Sequence, residues 1–123
     1  MKVMVVVTHL LGSGHLARAL VLGRAFAQAG HEVTLVSGGM PVAHLDGAGV
    51  GFVQLPPLRS DGVNFTRLLD SAGAEAAPDV FEARRAVLLD VYQKLAPDVL
   101  ITELFPFGRR NLKTEFLALL QAD

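Results

Sequence analysis

The chain of 123 residues contains no cysteine. That excludes disulfides, thiol nucleophiles and thiolate-held metals, and it fits a reducing compartment. Nowhere does it hold the run of about 18 apolar residues that a membrane-spanning helix needs. The opening apolar run, Val3 to Val7, is shorter than the roughly 7–15 residues of a signal-peptide core, and polar Thr8 and His9 follow at once. Basic charge is not in excess: 11 Lys and Arg against 12 Asp and Glu give a net charge of −1. A nucleic-acid partner is not expected from such a balance. These absences together describe a cytoplasmic protein without a transmembrane segment.

What is present is enough apolar material for one domain: 51% of residues are hydrophobic and 19% charged. Residues 2–8 are short, apolar and rich in valine, as a strand buried on both faces requires. Residues 14–29 form a helix, with Leu16, Ala19, Leu20, Gly23, Phe26 and Ala27 on one face. Gly23 is expected to let that helix lie close to the sheet, and Gly30 to close it. Further strands are expected at 32–37, 50–55 and 98–102. A short helix is expected at 40–48, one or two helical turns at 64–70 within an exposed loop, and helices from 79 and from 111 to 122. Asp79 and Glu82 have capping-box spacing for the first of these last two, and Asp90 and Lys94 form an i,i+4 pair along it.

Strands alternating with helices imply an α/β fold, a doubly wound Rossmann-like parallel sheet of order 3-2-1-4. In that order the topological switch lies between the first and fourth strands, and ligands bind beyond the carboxyl ends of the strands there. The loop of residues 8–14 and the segment Glu103 to Arg110 flank this crevice. His15 and Glu103 are thereby expected to face one another.

The glycine loop Gly12-Ser13-Gly14-His15-Leu16-Ala17 fits the letters of the dinucleotide fingerprint G-x-G-x-x-G/A. Two features oppose that reading. Four residues separate the strand from Gly12, and Ser37, Gly38 and Gly39 stand where an acid should hold the ribose. A phosphate P-loop is excluded because G-x-x-x-x-G-K-[ST] is absent. No nucleotide cofactor and no metal is expected.

The run Thr8-His9-Leu10-Leu11-Gly12-Ser13-Gly14-His15, then Ala29-Gly30-His31-Glu32-Val33, then Glu103-Leu104-Phe105-Pro106-Phe107-Gly108-Arg109-Arg110, resembles the N-terminal domain of GT-B glycosyltransferases. MurG-like and related predicted glycosyltransferases are the nearest in look. The resemblance implies two Rossmann-like domains, of which residues 1–123 would form part of the first, the acceptor side. A C-terminal domain would bind the nucleotide sugar, and the chain alone is expected not to turn over. The implied acceptor is phosphate- or lipid-linked, at the inner face of the membrane.

On this resemblance His15 is the catalytic base that takes the acceptor's proton, and Glu103 orients it. A free imidazole titrates at about 6.5, close to where a general base works best. Gly12, Ser13 and Gly14 let the substrate approach the backbone, with Ser13 as helix cap, and Arg109 and Arg110 contact an acceptor phosphate. Plainer roles stand beside each. His15 can donate to a carbonyl or bind a phosphate, Glu103 can cap a helix or pair with Arg109 or Arg110, and those arginines can be solvated. His9 reads as a loop or packing residue, His31 as a turn residue and His44 as exposed on the short helix. Leu104, Phe105 and Phe107 are apolar enough to favour self-association. A nucleotide-sugar hydrolase of the same fold, which also carries an arginine after Gly-x-Gly-His, and a non-catalytic binding module are the alternatives.

Overall fold

The computed structural model describes residues 1–8, 14–42, 49–60 and 68–103, with Leu117 and Gln121. Among them run β1 (Lys2–Val7), α1 (Gly14–Gln28), β2 (Glu32–Ser37), β3 (Gly51–Gln54), β4 (Arg59–Ser60), β5 (Leu68–Leu69), α2 (Pro78–Leu95) and β6 (Val99–Thr102).

Four strands pair in parallel in the order β3-β2-β1-β6. This is the expected 3-2-1-4 order, since β6 is the fourth strand of the main sheet and β4 and β5 form a separate antiparallel pair. The strands align without slip: Val5 lies opposite Leu35 of β2 and Ile101 of β6. Alternation along β1 decides which residues meet which helix. Val3, Val5 and Val7 pack with Leu16, Ala19 and Leu20 of α1. Met4 and Val6 pack with Leu88 of α2, joined by the partly buried Phe81, Val91, Tyr92 and Leu95. The sheet is thus covered on both faces, and Val3 to Val7 are all buried.

Helix α1 stops where its sequence requires. The His31 N–H reaches Phe26 O at 3.1 Å and the Gly30 N–H reaches Ala27 O at 3.0 Å, with Gly30 at φ +94°. That pair of bonds and the left-handed glycine make a Schellman motif, which satisfies carbonyls the helix end would otherwise leave open.

Three local expectations are corrected. The Asp79 cap does not form: α2 begins at Pro78 with Ala77 in the cap position and no side-chain cap bond. Proline suits the first helical position, because its missing N–H would have no partner there. Leu68 and Leu69 are strand rather than helical turn, while 61–67 lie outside the described residues. Leu58, Ser60, Leu68 and Leu69 are buried rather than part of an exposed loop, whereas Ser71, Ala72, Ala74 and Glu75 are exposed. Leu58 and Leu68 join the core under α2, and burial of such side chains outweighs weak local propensity. Met40, Pro41 and Val42 are not helical; residues 43–48 lie outside the described residues, as do 104–116, 118–120, 122 and 123. Leu117 and Gln121 are helical. Asp90 and Lys94 pair at 3.0 Å on the exposed side of α2, a contact worth only about 0.2–0.5 kcal/mol.

Two buried glycines answer differently to an added methyl. A Cβ at Gly23 would meet Val50 Cγ2 at 3.4 Å and Val33 Cγ1 at 3.5 Å, near ordinary packing distance. A Cβ at Gly38 would fall under 3.0 Å from both Thr8 Oγ1 and Arg84 Nη2. Gly23→Ala is expected to raise stability by about 0.5–1 kcal/mol through helix propensity. Gly38→Ala is expected to lower it by about 1–3 kcal/mol through overpacking. Urea unfolding of the two variants, read as opposite shifts of the midpoint at constant slope, checks both.

Candidate functional site

The site is built by adjacency at the carboxyl ends of β1 and β6. The Glu103 N–H donates to Val6 O at 2.9 Å, continuing the β1–β6 ladder one residue past Thr102. This sets Glu103 beside the end of β1. The chain leaving β1 re-enters the described structure at Gly14 as α1, whose first turn carries His15. His15 and Glu103, 88 positions apart in sequence, thereby meet: Nδ1 lies 3.6 Å from Oε1. Their side chains are 31% and 26% exposed, so the pair is half-sheltered and open to an incoming molecule. A Cβ placed on Gly14 would meet nothing within 4 Å among the described residues. The first N–H groups of α1 have no partners within the helix.

A third side chain belongs to the cluster. Arg18 Nη2 hydrogen-bonds His15 Nδ1 and lies 3.6 Å from the same Glu103 oxygen. Sequence reasoning set an arginine after Gly-x-Gly-His beside the hydrolase alternative but did not join Arg18 to His15 and Glu103. Its signal was available, because Arg18 follows His15 by three positions and such residues share a helix face.

Sequence reasoning missed Arg84, which is fully buried on α2. Its Nη1 donates to Gly38 O at 2.7 Å and Pro56 O at 2.6 Å, and its Nη2 donates to Thr8 Oγ1 at 3.3 Å. One guanidinium therefore joins the chain leaving β1, β2 and β3. Here too the signal lay in the spacing, since Arg84 falls between Phe81 and Leu88 on the buried stripe of the helix. Gln54 adds to this end of the sheet: its Nε2 donates to Ser37 O, Gly39 O and Leu55 O at 3.2, 2.7 and 2.9 Å. The space after β2 where a ribose-holding acid would stand is thus filled by backbone and by Arg84.

The other expected site residues, Gly12, Ser13, Arg109 and Arg110, lie outside the described residues, as do His9, His44, Leu104, Phe105 and Phe107. His31 sits at the opposite end of β1, where Nδ1 meets the N-terminal amine at 3.1 Å and the ring meets Phe26 edge-on at 6.1 Å. Among the described residues no group of three His, Asp or Glu is placed to hold a metal, and no helix is long and apolar enough to cross a membrane.

Fold and geometry define a class: a Rossmann-like α/β domain with polar side chains at the switch point of its sheet. A solved structure of similar form is that of SsfS6, a glycosyltransferase of Streptomyces sp. SF2575. The match has a TM-score of 0.63 at 20% identity and covers 99% of this chain and 37% of that one. The likeness is one of fold, that of part of a GT-B enzyme, and the chain spans little more than a third of SsfS6's length. No family model and no curated protein matches the sequence.

Removing the buried guanidinium strips hydrogen bonds from Thr8, Gly38 and Pro56 together. Bonds to a charged group are each worth about 1.5–3 kcal/mol, and Gly38 O keeps the Leu58 N–H at 3.1 Å when the guanidinium is gone. Arg84→Met is expected to lower unfolding free energy by about 2–4 kcal/mol, read by urea titration, while the exposed neighbour Arg85→Met changes it by under about 0.5 kcal/mol.

Proposed function

We propose that the chain is the acceptor-side portion of a GT-B glycosyltransferase, moving a sugar from a nucleotide sugar to a hydroxyl acceptor. The observation that supports it most is the approach of His15 Nδ1 to Glu103 Oε1 at the switch point. The fold likeness to SsfS6 agrees with it.

In this reading the acceptor O–H attacks the anomeric carbon as the bond to the nucleoside diphosphate breaks. His15 Nε2 takes the proton, and Glu103 accepts from Nδ1–H, keeps the ring in the basic tautomer and stabilises the imidazolium that forms. A separation of 3.6 Å is longer than a hydrogen bond and closes by a small side-chain rotation, as loose catalytic contacts do when substrate arrives. Gly12, Ser13 and Gly14 give the acceptor access to the backbone, and Arg109 and Arg110 hold its phosphate. A MurG-like, lipid-linked acceptor at the inner membrane face suits those arginines beside Leu104, Phe105 and Phe107. The nucleotide-sugar site belongs to a second domain.

A second reading has a specific observation behind it. Arg18 stands in the cluster with His15 and Glu103, and an arginine after Gly-x-Gly-His is shared with nucleotide-sugar hydrolases of this fold. There water takes the acceptor's place.

The test is release of nucleoside diphosphate from a panel of nucleotide sugars by the complete gene product. Release that requires an acceptor fits the transferase, and equal release without one fits the hydrolase. His15→Ala is expected to slow release by about 10²–10⁴, the usual contribution of general-base catalysis. An unchanged rate removes His15 as the base.

A further inference from the structure

The contacts at His15 Nδ1 have a consequence for which ring nitrogen is basic. Among the described residues Nδ1 faces two groups, the Arg18 guanidinium and the Glu103 carboxylate. They ask opposite things of it. A guanidinium has only donors, so Nδ1 meets Arg18 as an acceptor, with its lone pair and no proton. A carboxylate has only acceptors, so Nδ1 meets Glu103 as a donor. One nitrogen cannot do both, and the choice fixes the other nitrogen. With Arg18 on Nδ1, the neutral ring carries its proton on Nε2, which is then a donor. With Glu103 on Nδ1, Nε2 holds the lone pair and can take a proton.

We propose that Arg18 gates His15: while its guanidinium occupies Nδ1 the ring is held as the Nε2–H tautomer, and the base appears only when Arg18 leaves Nδ1 to Glu103. The three side chains can make either arrangement. Glu103 has two oxygens, and Arg18 Nη2 already lies 3.6 Å from one of them. A short swing takes Arg18 off the ring and onto the carboxylate, which then accepts from Nδ1–H and from the guanidinium together. Arg18 is free to make it, since its side chain is 67% exposed at the start of α1. Arg18 is in this sense a positioning residue, acting through His15. The significance of the gate rests on the reading of His15 as base; the tautomer itself does not.

The experiment is long-range proton–nitrogen NMR of the chain labelled with ¹⁵N-histidine. It is run at about pH 8.5. His15 is assigned by the signals lost in His15→Gln. In the native chain Nε2 is expected to be the protonated nitrogen and Nδ1 the bare one. An unpartnered ring favours the same form, so the variants carry the test. Arg18→Met is expected to exchange the two signals, because Glu103 then holds Nδ1–H. Adding Glu103→Leu to Arg18→Met returns them. Protonated Nδ1 in the native chain, or Arg18→Met leaving the pattern unchanged, overturns the proposal. Because no turnover is read, a failed glycosyltransferase assay leaves this result standing, and the reverse also holds.

Discussion

A single buried guanidinium holds the carboxyl end of this sheet together. Parallel strands are tied along their length by the ladder, but at their carboxyl ends the chain departs in different directions and each last carbonyl needs a partner. Arg84 reaches up from α2 and supplies donors to Gly38 and Pro56 as well as to Thr8. Taking an arginine out of water costs several kcal/mol, and only good hydrogen bonding offsets that. The arrangement is therefore demanding of its neighbours. Gly38 has to lack a side chain because Thr8 and Arg84 fill the space where a Cβ would stand.

The consequence for the site is positional. Thr8 is the last described residue of the chain leaving β1, and α1 takes up six positions later with His15 in its first turn. Fixing Thr8 fixes one root of that connection. The other requirement is met by strand order. Because β6 lies beside β1, the residue after β6 comes to the same end of the sheet, and that residue is Glu103. The meeting of His15, Arg18 and Glu103 thus follows from a crossover rule and a ladder register, with no local sequence signal linking positions 15 and 103.

This explains what could be read from the sequence. The sheet was legible because its strands are short apolar runs, β1 richest in valine, with amphipathic helices after β1 and before β6, and right-handed crossovers leave few orders open. The nearness of His15 and Glu103 was legible for the same reason. Arg84 was not, because a charged residue on a helix is ordinarily read as solvated, and only its three- and four-residue spacing from Phe81 and Leu88 betrays it. The start of α2 was misread because two cap signals competed, and proline at the first helical position prevailed over aspartate one residue later. The β4–β5 pair was missed because two-residue strands carry no periodicity at all.

The account stands on His15 and Glu103 acting as one unit at the switch point, in a fold shared with part of SsfS6. A double-mutant cycle on nucleoside diphosphate release by the complete gene product tests that most directly, using His15→Ala, Glu103→Gln and the two combined. If Glu103 works through His15, the double variant is no slower than His15→Ala alone beyond about a factor of two or three. If the two effects multiply, the residues act separately and the pairing has no part in the chemistry.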